Sequence, residues 1–269
     1  MKVSIITTNY NTDKYLEQTI KSVLSQKGDF ELEYIITDGG SSDNSLDIIK
    51  KYDKEVRSGK WGKNVEFKYL SEKDKGQSDG INKGLKIATG DIVSFLNADD
   101  LYIEYTLKIV TEYFKAHTDC MWLTGYCRII DENGKEIRKY ITNYKNRKLR
   151  NFSLKKLLIE NPISQPATFW KKDLHKEFGY IDESLHYAMD QDLWARFASK
   201  YKLHLIPKYL AEFRFTSETK TGSSIEKTLK ESQYIAKRYT DSKSLLFLQS
   251  ISNFKRIINY KYFSKIFRN

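Results

Sequence analysis

Through the first hundred residues, short β-branched runs alternate with segments of helical period. Val3–Thr8, bounded by Asn9 and Tyr10, predicts a strand. Thr12 or Asp13 can cap a helix that keeps Leu16, Ile20, Val23 and Leu24 on one face. Leu32–Thr37 predicts a second strand, ending at Asp38-Gly39-Gly40, and Ser42 or Asp43 then caps a helix carrying Leu46, Ile49 and Tyr52. Val65–Leu70 reads as a third strand, and Ser78–Ala88 as a helix closed by Gly90. Asp91–Leu96 forms a fourth strand, ending at Asn97-Ala98-Asp99-Asp100. Such alternation predicts an α/β fold, a mostly parallel sheet with helices on both faces. Ligands of these sheets bind beyond the carboxyl ends of the strands. Three polar clusters fall there: Thr8-Asn9-Tyr10-Asn11, Asp38 and Asp99-Asp100. A solvated loop accounts for one such cluster; three converging ones point to a site.

The pattern between residues 120 and 215 is mixed. Met121–Ile130 reads as a strand with Asp131-Glu132-Asn133-Gly134 as its hairpin turn. The basic stretch Asn143–Arg150 is expected to be a mobile loop, Phe152–Ile159 helical, Gln165–Trp170 extended, and Gln191–Lys200 a helix with Leu193, Trp194 and Phe197 inward. From Ile225 onward the period is helical to the end.

Charge sharpens the view of that last segment. Lys and Arg number 46 against 35 Asp and Glu, a formal net charge of +11. Such a balance suits an anionic partner, or merely a soluble surface. After Asp241 there is no acid, while Lys243, Lys255, Arg256, Lys261, Lys265 and Arg268 are all basic. Phe247, Ile251, Phe254, Ile258 and Tyr262 recur there at helical spacing. A basic amphipathic helix of this kind suits an anionic membrane surface, through residues 243–269, or packs on the rest of the chain or on a second subunit. With 40% hydrophobic residues the chain can bury a sizeable core. No apolar run approaches the roughly 20 residues of a spanning helix, and the N-terminus reads as a strand rather than a signal peptide. The protein is therefore expected in the cytoplasm, with Cys120 and Cys127 as reduced structural residues.

The chemistry-bearing residues sit in three strings. Asp99-Asp100 closes a strand with adjacent carboxylates, which repel unless a cation or hydrogen bonds hold them. Mg2+ or Mn2+ takes one or two carboxylates together with substrate phosphate oxygens. The competing reading is an Asp-Asp cap on a helix over 101–114. Asp38 can accept from a base N–H or a ribose hydroxyl, or serve a turn as an Asx residue. No G-x-G-x-x-G pattern is present, which argues against a dinucleotide site. Asp190 and Asp192, in Met189-Asp190-Gln191-Asp192-Leu193-Trp194, open a helix; one can cap it while the other is free for proton work.

Taken in order, Val3-Ser4-Ile5-Ile6-Thr7-Thr8-Asn9-Tyr10-Asn11, Ile36-Thr37-Asp38-Gly39, Gly76-Gln77-Ser78-Asp79-Gly80-Ile81-Asn82-Lys83-Gly84 and Ala88-Thr89-Gly90-Asp91 leading to Asn97-Ala98-Asp99-Asp100 resemble family 2 glycosyltransferases. So do Ser164-Gln165-Pro166-Ala167-Thr168-Phe169-Trp170 and Met189-Asp190-Gln191-Asp192-Leu193-Trp194. The resemblance implies a GT-A fold, a Rossmann-like sheet with flanking helices over residues 1–215, split into a nucleotide-binding half (1–100) and an acceptor-binding half (101–215), followed by a basic helical extension over 216–269. By the same resemblance Thr8, Tyr10 and Asp38 would hold the base, with Gln77, Asn82 and Asn97 completing the nucleotide site. Asp99, with Asp100 close by, would bind Mn2+ or Mg2+, and Asp190 would be the catalytic base. Gln165, Trp170 and Asp192 would lie on the acceptor side. Asn97 stands where many members have Asp, and Met189 where many have Glu.

The implied reaction is an inverting transfer from a nucleoside-diphosphate sugar, expected to be a UDP-sugar, to a hydroxyl of a glycan or lipid-linked acceptor in cell-surface polysaccharide synthesis. The expected place is the inner face of the plasma membrane, with no nucleic acid as partner and a homodimer left open. Two other classes compete: a nucleotidyltransferase-like enzyme, which would carry a Gly-rich phosphate loop, and a basic membrane- or nucleic-acid-binding module, which leaves the ordered aspartates unexplained.

Overall fold

The structure, a computed structural model, describes residues 1–216 and 224–266, with side chains to Ile258. The first half follows the predicted alternation: β1 (Lys2–Asn9), α1 (Asp13–Leu24), β2 (Glu31–Asp38), α2 (Ser45–Arg57), β3 (Val65–Ser71), α3 (Gln77–Ile87) and β4 (Ile92–Phe95). These strands lie parallel in the order β3-β2-β1-β4. Their register sets Asn9 beside Asp38 and Asp38 beside Ser71, so three strands end level.

The second half contains β5 (Leu101–Tyr102), α4 (Thr106–Ala116), β6 (Trp122–Ile130), β7 (Glu136–Ile137), α5 (Lys139–Leu149), α6 (Leu154–Ile159), β8 (Thr168–Lys171), α7 (Leu174–Phe178), α8 (Met189–Ala198) and β9 (His204–Arg214). It extends the sheet as β4-β8-β6-β9-β5, with β7 beside β6. Here β4–β8, β6–β8, β6–β7 and β5–β9 are antiparallel, and only β6–β9 is parallel. The mostly parallel order expected of the sheet thus belongs to β1–β4, and the complete sheet is mixed.

Alternation along the central strands divides the core in two. Val3, Ile5, Leu32, Tyr34 and Ile92 face α1, α2 and α4, whereas Ile6, Ile35, Val93 and Phe95 face α3, α6 and α8. In the second core Trp122 and Trp194 stack at 5.8 Å, and Trp170 meets Trp194 edge-on at 5.4 Å.

Three predicted elements change. Of Gln165–Trp170, expected extended throughout, Gln165–Ala167 form a 3-10 turn with Pro166 in it, and the strand begins at Thr168. The helix expected from Leu101 begins at Thr106, because Leu101 and Tyr102 pair instead with Glu212 and Ala211 of β9. The loop expected over Asn143–Arg150 is helical, in α5. Thr142, Asn146 and Leu149 share its buried face at spacings of four and three; two of them are polar, so their burial leaves little trace in an apolar pattern.

The extension forms α9 (Ile225–Tyr239) and α10 (Lys243–Ile266). Ile235, Ala236 and Leu245 enter the second core, and Gln249 donates to the Ser232 carbonyl at 3.0 Å. Both helices therefore share a core with the sheet and with α3, α6 and α8. Phe247, Leu248, Ile251, Phe254 and Ile258 remain exposed on the outer side of α10, between 37% and 66%. The side chains of Lys261, Tyr262 and Lys265, and all of Arg268, lie outside the described residues. Among the described residues no helix is long and apolar enough to cross a membrane.

Candidate active site

The level ends of β1, β2 and β3 build one wall of the site. Asp38 is 2% exposed. Its carboxylate accepts from Asn9 Nδ2 at 2.8 Å, Ser41 Oγ at 2.5 Å, the Ser41 N–H at 3.1 Å and Ser71 Oγ at 2.7 Å. Burial alone would raise its pKa; the hydrogen bonds from Ser41, Asn9 and Ser71 outweigh it and hold the carboxyl below its ordinary range. Asp38 thus organises the loop at the sheet end, and a ligand N–H could engage it only by exchange with one of these donors. Asn11 adopts φ 50, a left-handed conformation that Asn tolerates, and accepts the Ser42 N–H on Oδ1 at 2.8 Å. The turn presents Tyr10, 64% exposed, as a free aromatic face beside half-buried Thr8.

Sequence reasoning missed Asp74. Its Oδ1 accepts the Gly76 N–H at 2.9 Å, where Gly76 holds φ 123 at the mouth of α3. Its Oδ2 lies where side chains would otherwise stand: 2.7 Å from a Cβ built on Gly39 and 3.2 Å from one built on Gly80. The same Gly80 position meets Thr8 at 3.2 Å, so Asp74 belongs to the Thr8 wall. The only sequence signal was the pair of glycines that make room for it.

The second wall carries the aspartate pair. Asp100 is fully buried and accepts the Arg214 N–H at 3.0 Å and Asn97 Nδ2 at 3.1 Å. Asn97 in turn accepts from Gln77 Nε2 at 2.7 Å, so these two amides lie at the aspartates. Asp99 stays partly accessible. Burial raises Asp99, and burial together with the Asp99 charge pushes Asp100 well above the usual carboxylate range. Arg214, another residue missed, is fully buried but spends its guanidinium on the carbonyls of Asp99, Asp131 and Glu132 and on Gln18 Oε1, each at 2.9 to 3.0 Å. It fixes the loop without neutralising it by a direct ion pair. This donor set, two hard oxygens from adjacent carboxylates with charge left over, fits a divalent cation. Among the described residues no group of three acidic, His or Cys ligands forms, so a cation here would draw its remaining ligands from substrate phosphate and water.

Asp190 occupies the first turn of α8 and is half-buried. Burial raises its pKa, opposed by the Gln191 N–H, the charge of Lys145 and the Trp194 indole. Trp194 Nε1 has no partner at full hydrogen-bond geometry. Lys145, unnoticed in the sequence because α5 read as loop, donates to Ser164 Oγ at 2.8 Å. The neighbouring Gln165 donates to the Phe95 carbonyl, just before the aspartate loop, and its buried Oε1 has no partner. From Asp190, the contacts through Lys145, Ser164, Gln165 and Phe95 lead back to the strand that ends in Asp99-Asp100. A surface hollow lined by Tyr113, Phe152, Tyr201 and His204, at the amino ends of β6 and β9, shares no residue with this constellation.

Three residues expected at the ligand act elsewhere. Asn82 is 2% exposed; it donates to the Ile181 carbonyl at 2.9 Å and Glu183 at 3.0 Å and accepts the Ile181 N–H at 3.0 Å. Its whole amide is used to tie α3 to the loop before α8, not to meet a nucleotide. Trp170 is fully buried and donates to His175 Nε2 at 2.9 Å, a core residue rather than an acceptor contact. Asp192 is 2% exposed, paired with Arg196 at 3.0 Å and Arg238 at 3.3 Å and accepting Tyr239 Oη at 3.3 Å. It braces the helix and is not available to an acceptor.

The fold has close counterparts. Staphylococcus aureus TarS, residues 1–349, solved with UDP-GlcNAc, matches with TM-score 0.67 at 20% identity over 97% of this chain and 73% of that one. The Pyrobaculum calidifontis mannosyltransferase PcManGT, solved with GDP-Man and Mn2+, matches with TM-score 0.70 at 17% identity over 93% and 69%. These likenesses give the fold as GT-A. In sequence, the uncharacterized glycosyltransferase MJ1057 of Methanocaldococcus jannaschii is 27% identical over 98% of this chain and 84% of its own. A Nostoc glycosyltransferase is 35% identical over 51% of this chain, which spans only 40% of that relative. The model of glycosyl transferase family 2 matches residues 4–178, from the first strand past the aspartate pair. By that match, which covers more than half of its residues, the chain belongs to glycosyl transferase family 2 and is a transferase.

Proposed function

We propose that the protein transfers a sugar, with inversion, from a nucleoside-diphosphate sugar to a hydroxyl of a glycan or lipid-linked acceptor. The observation that carries this reading is the pairing, on one side of a family 2 sheet, of an under-neutralised aspartate pair with a single accessible carboxylate of raised pKa. Thr8, Tyr10 and Asp38, with Asp74, border the base and ribose; Gln77 and Asn97 stand between them and the aspartates. Asp99, with Asp100 behind it, would hold Mn2+ or Mg2+, whose chemistry is to offset the charge that develops on the leaving diphosphate. Asp190 takes the proton of the acceptor hydroxyl as its oxygen bonds to the anomeric carbon; the bond to the phosphate oxygen breaks and its electron pair leaves with the nucleoside diphosphate. Asp192 is bound up by two arginines, so no second free carboxylate stands beside Asp190 among the described residues to act as a nucleophile, which favours one displacement. Relatives solved with UDP-GlcNAc and with GDP-Man and Mn2+ support the donor class and the metal, with UDP the expected nucleotide. A Bacillus subtilis relative bearing a teichuronic acid biosynthesis name, 32% identical over 52% of this chain, supports a surface-polysaccharide product. Nucleoside diphosphate release should be followed across UDP-, GDP- and dTDP-sugars with Mn2+. One donor class should turn over well above the others, and no release from any donor would count against the proposal.

The same reading places the protein at the cytoplasmic face of a membrane. Phe247, Ile251, Phe254 and Ile258 form an exposed stripe on α10. Lys243 and Lys255 flank it, and three further cations lie toward the C-terminus in Lys261, Lys265 and Arg268. Aromatics and aliphatics beside cations suit the interface of an anionic bilayer, each Lys or Arg adding about 1 kcal/mol. The double variant Phe247→Ser/Phe254→Ser alters only exposed side chains. It should lose most of the wild-type flotation with anionic liposomes at low salt. Equal flotation of both forms, or indifference to lipid charge, would leave the stripe to another partner such as a second subunit.

A further inference from the structure

Helix α8 carries Asp190 at its first turn and has no side-chain cap of its own. The chain leading into it is held from far along the sequence. Glu231, on α9, accepts the His186 N–H at 3.0 and 3.1 Å, the Tyr187 N–H at 2.7 Å and the Ala188 N–H at 2.9 Å. One carboxylate thus collects three consecutive backbone donors, at the N-cap Ala188 and the two residues before it, close to a helix start where the dipole favours negative charge. Two turns further along α9, Arg238 donates to Asp182 at 2.8 Å and to Asp192 at 3.3 Å. The next residue, Tyr239, donates to the same Asp192 oxygen at 3.3 Å. Residues on α9 therefore hold the chain on both sides of Asp190, at 182–188 before it and at 192 after it. The glycosyl transferase family 2 match ends at residue 178, before α8 and α9 alike.

We infer that Glu231 is a positioning residue of the active site: it fixes the segment that enters α8 at Ala188, two residues before Asp190, and so aims the Asp190 carboxylate at the acceptor. This rests on Asp190 being the base. A carboxylate held only by its own helix start moves with that turn, and displacements of about 1 Å at a reacting group cost up to about 100-fold in rate. Glu231 touches neither Thr8 nor the aspartate pair, so donor binding is untouched by its loss. The helical extension is, on this view, part of the catalytic apparatus.

The test is a double-mutant cycle on the full chain, with kcat, KM for the donor, and nucleotide affinity measured for Glu231→Ala, Glu231→Gln, Asp190→Asn and the combinations. Glu231→Ala should lower kcat by about 10- to 100-fold with donor KM within about twofold. Glu231→Gln keeps one acceptor oxygen and should fall between it and wild type. In the Asp190→Asn background, Glu231→Ala should cost little more, because residues that act through one group are strongly non-additive. An equal loss in both backgrounds, or a rise in KM with kcat unchanged, would overturn the inference; so would wild-type kcat in both Glu231 variants while Asp190→Asn is impaired. Full activity in Asp190→Asn would sink the base assignment itself, and with it this inference. If Glu231→Ala does not fold, Glu231→Gln, nearly the same shape, supplies the cycle.

Discussion

Asp190→Asn should lower kcat by at least about 100-fold and leave nucleoside-diphosphate affinity within about twofold. The substitution keeps the size of the side chain at the first turn of α8 and removes only its ability to accept a proton. The proposed donor contacts lie away from α8, at Thr8, Tyr10 and the aspartate pair, so binding should survive. The pH profile gives a second reading of the same group. The base works ionised; as pH falls through its pKa it takes up a proton and kcat drops. Burial raises that pKa, so the acid limb should lie above the ordinary aspartate range. Lys145 stabilises the ionised form, so Lys145→Met should move the limb to still higher pH. A large loss in Asp192→Asn with none in Asp190→Asn would transfer the role to the other acid, against the arginine pairing that now occupies it.

Asp99→Asn should abolish transfer with the fold intact. The Asp99 side chain is the accessible member of the pair, whereas Asp100 is committed to the Arg214 N–H and to Asn97. Asparagine keeps the shape and loses the charge on which a divalent cation depends. Stability should hold or rise slightly. Asp100 is pushed well above its usual range by burial and by the Asp99 charge, so its ionised form costs stability at neutral pH. Removing the neighbouring charge lessens that cost, and the benefit should fade on acidification as Asp100 becomes protonated. Near-normal turnover of Asp99→Asn in metal-replete buffer, or a collapse of its melting temperature, would contradict this assignment.

Much of this arrangement could be read from the chain. The parallel strands announce themselves because Val3, Ile5, Ile6, Ile35 and Val93 are buried on both faces of the sheet, which forces near-continuous apolar runs. The polar clusters at their ends follow directly. What could not be read depends on partners far away in sequence. Asn82 looks like a ligand-facing amide until residues 181–183 take all of its hydrogen bonds. Trp170 resembles an acceptor platform until Trp194 covers it. Arg214, a single basic residue at the end of β9, gives no local sign that it will hold the aspartate loop. Glu231 lies in a surface-type helical pattern and holds the segment leading into α8 only through backbone groups, which no side-chain pattern records. Periodicity reports burial within one element; it does not report which element supplies the cover.

The central claim, a metal-assisted nucleotide site at the ends of the parallel strands, is tested most directly by the thermal stability of wild type and Asp99→Asn with UDP or GDP, with and without Mn2+. Ligand at about a hundredfold excess over Kd stabilises by about 2.7 kcal/mol, which corresponds to a rise of about 5 °C or more. Wild type should show that rise with one nucleotide only when Mn2+ is present, and Asp99→Asn should lose the metal-dependent part. A shift of equal size without metal, or one that Asp99→Asn retains in full, would contradict the account.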